Sequence, residues 1–270
     1  MPPGSAVKRE GSGSVSSRAR LRGALAHRRY VDGVKRLGLL GGMSWESSVE
    51  YERMINELVR DRLGGVASAD LIIRSFNFAD IEALQQQGRW DEAARLLAEA
   101  ATQLVASGAE AVVLCTNTMH KLADDLQRAI DVPLLHIADA TAAAVQRAGL
   151  DTVALLGTRY TMEQVFYAGR LRTRHGLNVI VPSEPDLTEV HDVIYEELVR
   201  GMVNPASRAR YLEIIDRLVA RGAQGVIAGC TEIELLVSQQ DLDLPLFPTA
   251  RLHAEAAVEF ALGSVDLGCR

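Results

Sequence analysis

Cysteine is scarce. Cys115, Cys230 and Cys269 are the three in 270 residues, too few and too scattered for a disulfide framework, and no C-x-x-C pair suggests zinc or thioredoxin chemistry. No apolar run approaches the roughly 18 residues of a membrane span, so no membrane partner is expected. Net positive charge is missing too: the chain carries −6 with an isoelectric point near 5.6. A nucleic-acid footprint would need Lys and Arg clustered over one face, so no nucleic acid is expected. The glycine-rich stretch Leu37 to Gly42 belongs to neither a G-x-G-x-x-G nor a G-K-[ST] phosphate loop, which leaves nucleotide binding weakly supported. Hydrophobic residues at 48% and charged residues at 24% exclude wholesale disorder and fibrous structure. A reducing cytoplasm fits the cysteine usage.

Charge is unevenly spread. Residues 1–33 hold seven cations and two anions, a net +5, so residues 34–270 carry −11. The Ser-, Gly- and Arg-rich start lacks the continuous apolar centre of a secretory signal and reads as a disordered basic tail over 1–33. From Val34 onward, short β-branched or Leu-rich runs alternate with longer amphipathic stretches, the signature of βαβ units and parallel sheets. Strands are expected at Arg36–Leu40, Asp70–Ser75, Ala111–Leu114, Thr152–Leu156, Leu177–Val181, Gly225–Ile227 and Leu244–Phe247. Helices are expected at Trp45–Leu63, Asp91–Ala106, Met119–Ala129, Asp139–Ala148, Met162–Thr173, Val190–Gly201, Ala206–Ala220 and Leu252–Leu262.

An internal repeat organises these elements. GAEAVVLCTNT (Gly108 to Thr118) aligns without gaps on GAQGVIAGCTE (Gly222 to Glu232), an offset of 114. Upstream, LLGGMSWE (Leu39 to Glu46) is similar to LLGTRYTME (Leu155 to Glu163), and downstream DVPLLHI (Asp131 to Ile137) is similar to DLPLFPT (Asp243 to Thr249). The expected fold is therefore α/β with two similar halves: a first domain over 34–134 plus 246–270 and a second over 135–245. Ligands of doubly wound sheets bind beyond the carboxyl ends of the strands, and two facing halves would enclose one site between them.

Within the repeat Thr116 falls opposite Cys230, and Cys115 opposite Gly229. Thr116 and Cys230 would then approach one molecule from opposite sides, with Cys115 directed into the core. A cysteine before a helix start is placed to have its thiolate stabilised by backbone N–H groups; a small buried apolar residue is the alternative. Glu232 would orient or titrate Cys230, or be a solvated glutamate favoured by the helix dipole. Gly41-Gly42-Met43-Ser44 and the matching Thr158 to Thr161 segment each close a strand and open a helix, so Met43, Ser44 and Thr158 are candidates to hold a carboxylate, or simply to cap. Asn77, Asn117, Thr118 and Thr231 are candidate polar contacts. His120, one turn from Thr116, is a candidate proton relay; His136 and His253 stand at helix starts as caps. Arg159 and Arg74 are the cations nearest these strand ends by register.

CTNTMH (Cys115 to His120), GCTEI (Gly229 to Ile233), LGLLGGMSWESSVEY (Leu37 to Tyr51) and HIADAT (His136 to Thr141) together resemble the aspartate/glutamate racemase family, in order and across Val34 to Leu262. The resemblance implies two similar Rossmann-like domains with parallel sheets related by pseudo-twofold symmetry, an active site in the cleft between them, no cofactor and no metal, and a small-molecule amino acid as substrate, acidic ones preferred. Relatives suggest a homodimer. The family exchanges the α-proton with two opposed cysteines, one in CNT and one in GCT. Here Thr116 stands at the first position, and Pro248 where relatives tend to carry an aspartate.

Inverting a stereocentre requires a proton taken from one face and one delivered to the other. A threonine hydroxyl is a far weaker acid than a thiol and stores no base near neutral pH, so the resemblance implies an asymmetric racemase. In it Cys230 deprotonates the L-enantiomer and Thr116 supplies the opposite proton. Only Lys8, Lys35 and Lys121 are available as Schiff-base lysines, which disfavours pyridoxal phosphate chemistry. The alternatives are a decarboxylase or cis–trans isomerase of dicarboxylates on the same scaffold, or a non-catalytic amino-acid-binding protein.

Overall fold

The computed structural model describes residues 33–263; the expected basic tail and Cys269 lie outside them. The chain runs β1 (Leu37–Gly41), α1 (Trp45–Leu63), β2 (Leu71–Ser75), α2 (Phe78–Gln86), α3 (Trp90–Ala106), β3 (Ala111–Leu114), a 3-10 turn at Thr118–Leu122, α4 (Ala123–Ala129), β4 (Leu134–Leu135) and α5 (Ile137–Arg147). It continues through β5 (Thr152–Gly157), α6 (Arg159–Glu163), α7 (Val165–His175), β6 (Asn178–Ile180), α8 (Asp186–Glu196), a 3-10 turn at Leu198–Arg200, α9 (Pro205–Ala220), β7 (Val226–Gly229), α10 (Ile233–Leu236), β8 (Leu246–Pro248) and α11 (Thr249–Leu262). There are two four-stranded sheets, ordered β2-β1-β3-β4 and β6-β5-β7-β8, and every pairing is parallel.

The register reproduces the repeat. Leu39 pairs with Val113 in the first sheet and Leu155 with Ile227 in the second, which sets β3 against β7 at the offset of 114 read from the sequence. The side chains that fasten the strands repeat as well. Gln127 donates to the carbonyls of Ile130 and Val132 while accepting from Leu134 N–H; Gln239 does the same with Leu242, Leu244 and Leu246. Central strands β1, β3 and β7 are buried throughout, as near-continuous apolar runs in covered parallel sheets should be.

The Met162–Thr173 helix divides at Gln164, whose extended backbone (φ −85°, ψ 146°) ends α6 and starts α7. Two elements without a sequence signal are α2, where only Ile81 and Gln85 are buried, and the two-residue β4. The chain leaving the first sheet crosses to the second. β8, grouped by sequence with the first domain, pairs with β7 in the second sheet. Helix α5, following β4, buries Ile137, Ala138 and Ala142 against Val153, Leu155 and Ile227 of the second sheet. Helix α11, following β8, packs on α1, where Tyr51 donates to His253 Nδ1 at 2.9 Å.

Candidate active site

The cavity opens at the carboxyl ends of β1 and β3 in the first sheet and of β5 and β7 in the second. These are the positions where chain direction diverges in a doubly wound sheet and where such sheets bind ligands. It has a volume of about 590 Å³. Its walls include Met43, Ser44, Thr116, Asn117, Thr118, Thr158, Cys230, Thr231 and Glu232, which brings together nine of the ten residues offered from sequence as catalytic groups, carboxylate holders or polar contacts. Asn77 is the exception: it is exposed, and its amide donates to Asp80 at 3.2 Å at the start of α2.

Glycine makes two of these placements possible. Gly42 has φ +83°, and a Cβ there would stand 2.3 Å from both the N and O of Phe76, so only glycine lets the chain turn from β1 into the cavity wall. Gly229 lies so close to β5 that a Cβ would meet the Leu156 carbonyl oxygen at 2.8 Å; this contact aims the next residue, Cys230, outward. In the first half the matching position holds Cys115, fully buried, with its thiol on the Val113 carbonyl and pushed up by burial. Ser44 caps α1 by accepting from Ser47 N–H, and Thr158 caps α6 by accepting from Thr161 N–H.

The Cys230 thiol donates to Glu232 Oε2 at 2.9 Å. Burial pushes that thiol well above its usual range, and the Glu232 carboxylate reinforces the shift by its charge and by accepting the S–H; the N–H groups of Glu232 and Thr231 oppose it without prevailing. This corrects the expected thiolate stabilised at a helix start. The helix that follows, α10, has four residues and contributes too little dipole to offset an adjacent carboxylate. Glu232 also accepts from Thr231 at 3.1 Å and from Ser47 at 3.5 Å, while Ser47 and Thr231 share a hydrogen bond of 2.9 Å.

On the opposite wall nothing comparable stands beside Thr116. Its backbone carbonyl accepts from His120 Nδ1 at 2.7 Å, and His120 Nε2 accepts from Ile137 N–H at 3.2 Å. Both ring nitrogens are therefore engaged by backbone, and burial, then His136 and His253, hold the ring neutral, which overturns the expected relay through His120. His136 does cap α5, accepting from Ala138 N–H. His253 lies inside α11 rather than at its start, with Nε2 on the Leu135 carbonyl. Asn117 is buried; its amide nitrogen donates to Thr249 at 3.0 Å, and its Oδ1 has no hydrogen-bond partner among the described residues.

Neither expected cation reaches the cavity. Arg159 is engaged by Glu163, Glu184 and Thr188, and Arg74 lies on the Phe76 ring with its guanidinium on the Ser75 carbonyl. Arg200, from the turn after α8, is the single Lys or Arg among the lining residues, 3.3 Å from Glu196. The sequence reading missed it and also missed Ser47. Three-residue spacing from the Ser44 cap was an available signal for Ser47; for Arg200 there was none, because its placement depends on how α8 ends. Neither Lys35 nor Lys121 lines the cavity.

Comparison with known proteins agrees with this geometry. Residues 40–257 match the family model described as Asp/Glu/Hydantoin racemase. The structure is similar to that of "a putative Asp/Glu Racemase from Yersinia pestis", at 53% identity and a TM-score of 0.82, covering 85% of this chain and 100% of that one. It is also similar to an aspartate racemase homologue from Pyrococcus horikoshii OT3, at 33% identity and a TM-score of 0.76, covering 85% of this chain and 100% of that one. The broad specificity amino-acid racemase RacX of Bacillus subtilis is 21% identical over 62% of this chain and 72% of its own length. The chain thus belongs to the Asp/Glu/hydantoin racemase family and is an isomerase, an amino-acid racemase.

Proposed function

We propose that this racemase exchanges the α-proton of a free amino acid without a cofactor, with Cys230 on one face and Thr116 on the other, and that it works asymmetrically, favouring the L-substrate. The observation that carries the reading is the pairing of equivalents: Thr116 and Cys230 occupy the same repeat position after β3 and β7 and line one cavity, yet only Cys230 has a carboxylate at hydrogen-bond distance. Glu232 takes the thiol proton, the resulting thiolate removes the α-proton of the L-substrate, and the Thr116 hydroxyl relays a proton from water to the other face. The substrate carboxylate lies among Ser44, Thr118, Thr158 and Thr231, and Arg200 meets an acidic side chain. A homodimer in the cytoplasm is the expected state of the working enzyme.

Chiral chromatography across L- and D-amino acids, with Cys230→Ser as control, tests the activity. Enantiomer interconversion with aspartate or glutamate among the best substrates is expected; carbon dioxide release, or binding without turnover under reducing conditions, would replace the reading. Solvent-deuterium exchange at the α-carbon tests the asymmetry: faster exchange from L than from D is expected, and equal exchange refutes it. Arg200→Ala should raise KM for acidic substrates by about tenfold, the scale of one charge-assisted contact, with little change for neutral ones.

A further inference from the structure

We infer that Ser47 and the groove behind it form the exit through which the proton that Cys230 passes to Glu232 leaves the enzyme. The inference rests on the two-face racemase reading and deepens it. Two cysteines can exchange roles, each ending a turnover in the state the reverse reaction needs. A threonine cannot, because its hydroxyl neither keeps a proton deficit nor stores a base near neutral pH. In the L-to-D direction one proton moves from the α-carbon to the Cys230 sulfur, and one moves from water through Thr116 to the opposite face, leaving hydroxide. Because Glu232 first took the thiol proton and Cys230 is then a thiol again, the balance closes only when the proton on Glu232 also reaches solvent and neutralises that hydroxide. While product occupies the cavity, this proton needs a route that does not cross it.

A second cavity of about 460 Å³ lies against the first. Ser47, Thr231 and Glu232 line both, so the carboxylate that accepts from Cys230 is shared between them. Its Oε2 takes the thiol proton at 2.9 Å, and its Oε1 faces the Ser47 hydroxyl at 3.5 Å. Ser47 is 6% exposed and joins Thr231 at 2.9 Å, which gives two rotatable hydroxyls bridging from Glu232 toward the groove. The groove holds room for several waters and presents Glu50 and Glu234 as acceptors. Desolvation holds the Glu234 carboxyl up to about 7, against Arg251 and helped by Glu50 and Glu232, so this group exchanges protons readily near neutral pH.

Proton release follows the chemical step, so its impairment should limit turnover and spare capture. Initial rates from L-substrate, measured on the full chain from well below to far above KM, should show Ser47→Ala lowering kcat by roughly tenfold, a relay that water partly replaces. KM should fall in parallel, leaving kcat/KM within about twofold. Ser47→Thr, which keeps the hydroxyl, should restore kcat. Glu234→Gln should lower kcat by about threefold in the same pattern. Added imidazole should raise the kcat of Ser47→Ala and leave the parent enzyme unchanged, a rescue that a merely structural defect would not give. Equal losses in kcat and kcat/KM, or no imidazole rescue, would overturn the exit while leaving racemisation by the parent enzyme intact. Absence of α-proton exchange in the parent enzyme would instead remove the racemase reading on which the exit depends.

Discussion

The turn after β3 and the turn after β7 have the same backbone origin and different chemistry. Thr116-Asn117-Thr118 presents two hydroxyls and an amide, backed by the neutral ring of His120 clamped between backbone groups. Cys230-Thr231-Glu232 presents a thiol and a carboxylate in direct hydrogen bond, with Ser47 closing the network from the other half. The framework fixes where a side chain points; the residue then decides whether that point can hold a proton. In the proposed racemisation, the second turn takes and returns one, and the first passes one along.

Cys230→Ser tests the comparison most severely. Removing the one thiol on the cavity wall should lower racemisation by about a thousandfold, within the usual range for a positioned acid–base group, as read by chiral chromatography. A loss under tenfold would mean that both turns contribute alike. Glu232→Gln should cost roughly a hundredfold in kcat, because the thiol then loses the carboxylate that accepts its proton. Thr116→Cys sharpens the contrast from the other side: with sulfur on both turns, deuterium exchange from D-substrate should rise by roughly tenfold and approach that from L.

A further effect concerns stability. Burial holds His253 down to about 4 and His136 down to about 2, against about 6.5 in an unfolded chain. Between those values the unfolded chain binds more protons, so the stability is intact above pH 6.5 and is lost as pH falls. His253 alone should account for about 3 kcal/mol of loss by pH 4. Urea unfolding at pH 7 and pH 5 should show the decline, and His253→Gln should flatten it.

The repeat made much of this legible. The gap-free alignment of Gly108 to Thr118 on Gly222 to Glu232 carries the strand register, and register alone places Thr116 opposite Cys230 and sends Cys115 into the core. The state of the thiol was not legible. A short motif records that a helix start follows Cys230 but not that the Glu232 side chain folds back onto the sulfur, and the carboxylate outweighs the backbone N–H groups. His120 was misread for a related reason: one-turn spacing from Thr116 is visible, whereas the Ile137 N–H that occupies its second nitrogen comes from α5 through tertiary packing. Arg159 likewise lies near the cavity by register, but Glu163, Glu184 and Thr188 draw it away.

The crossing of α5 from the first sheet to the second has a consequence for folding. The second sheet takes part of its cover from the helix that leaves the first. Expressed without α5, the second half should therefore present a bare apolar face.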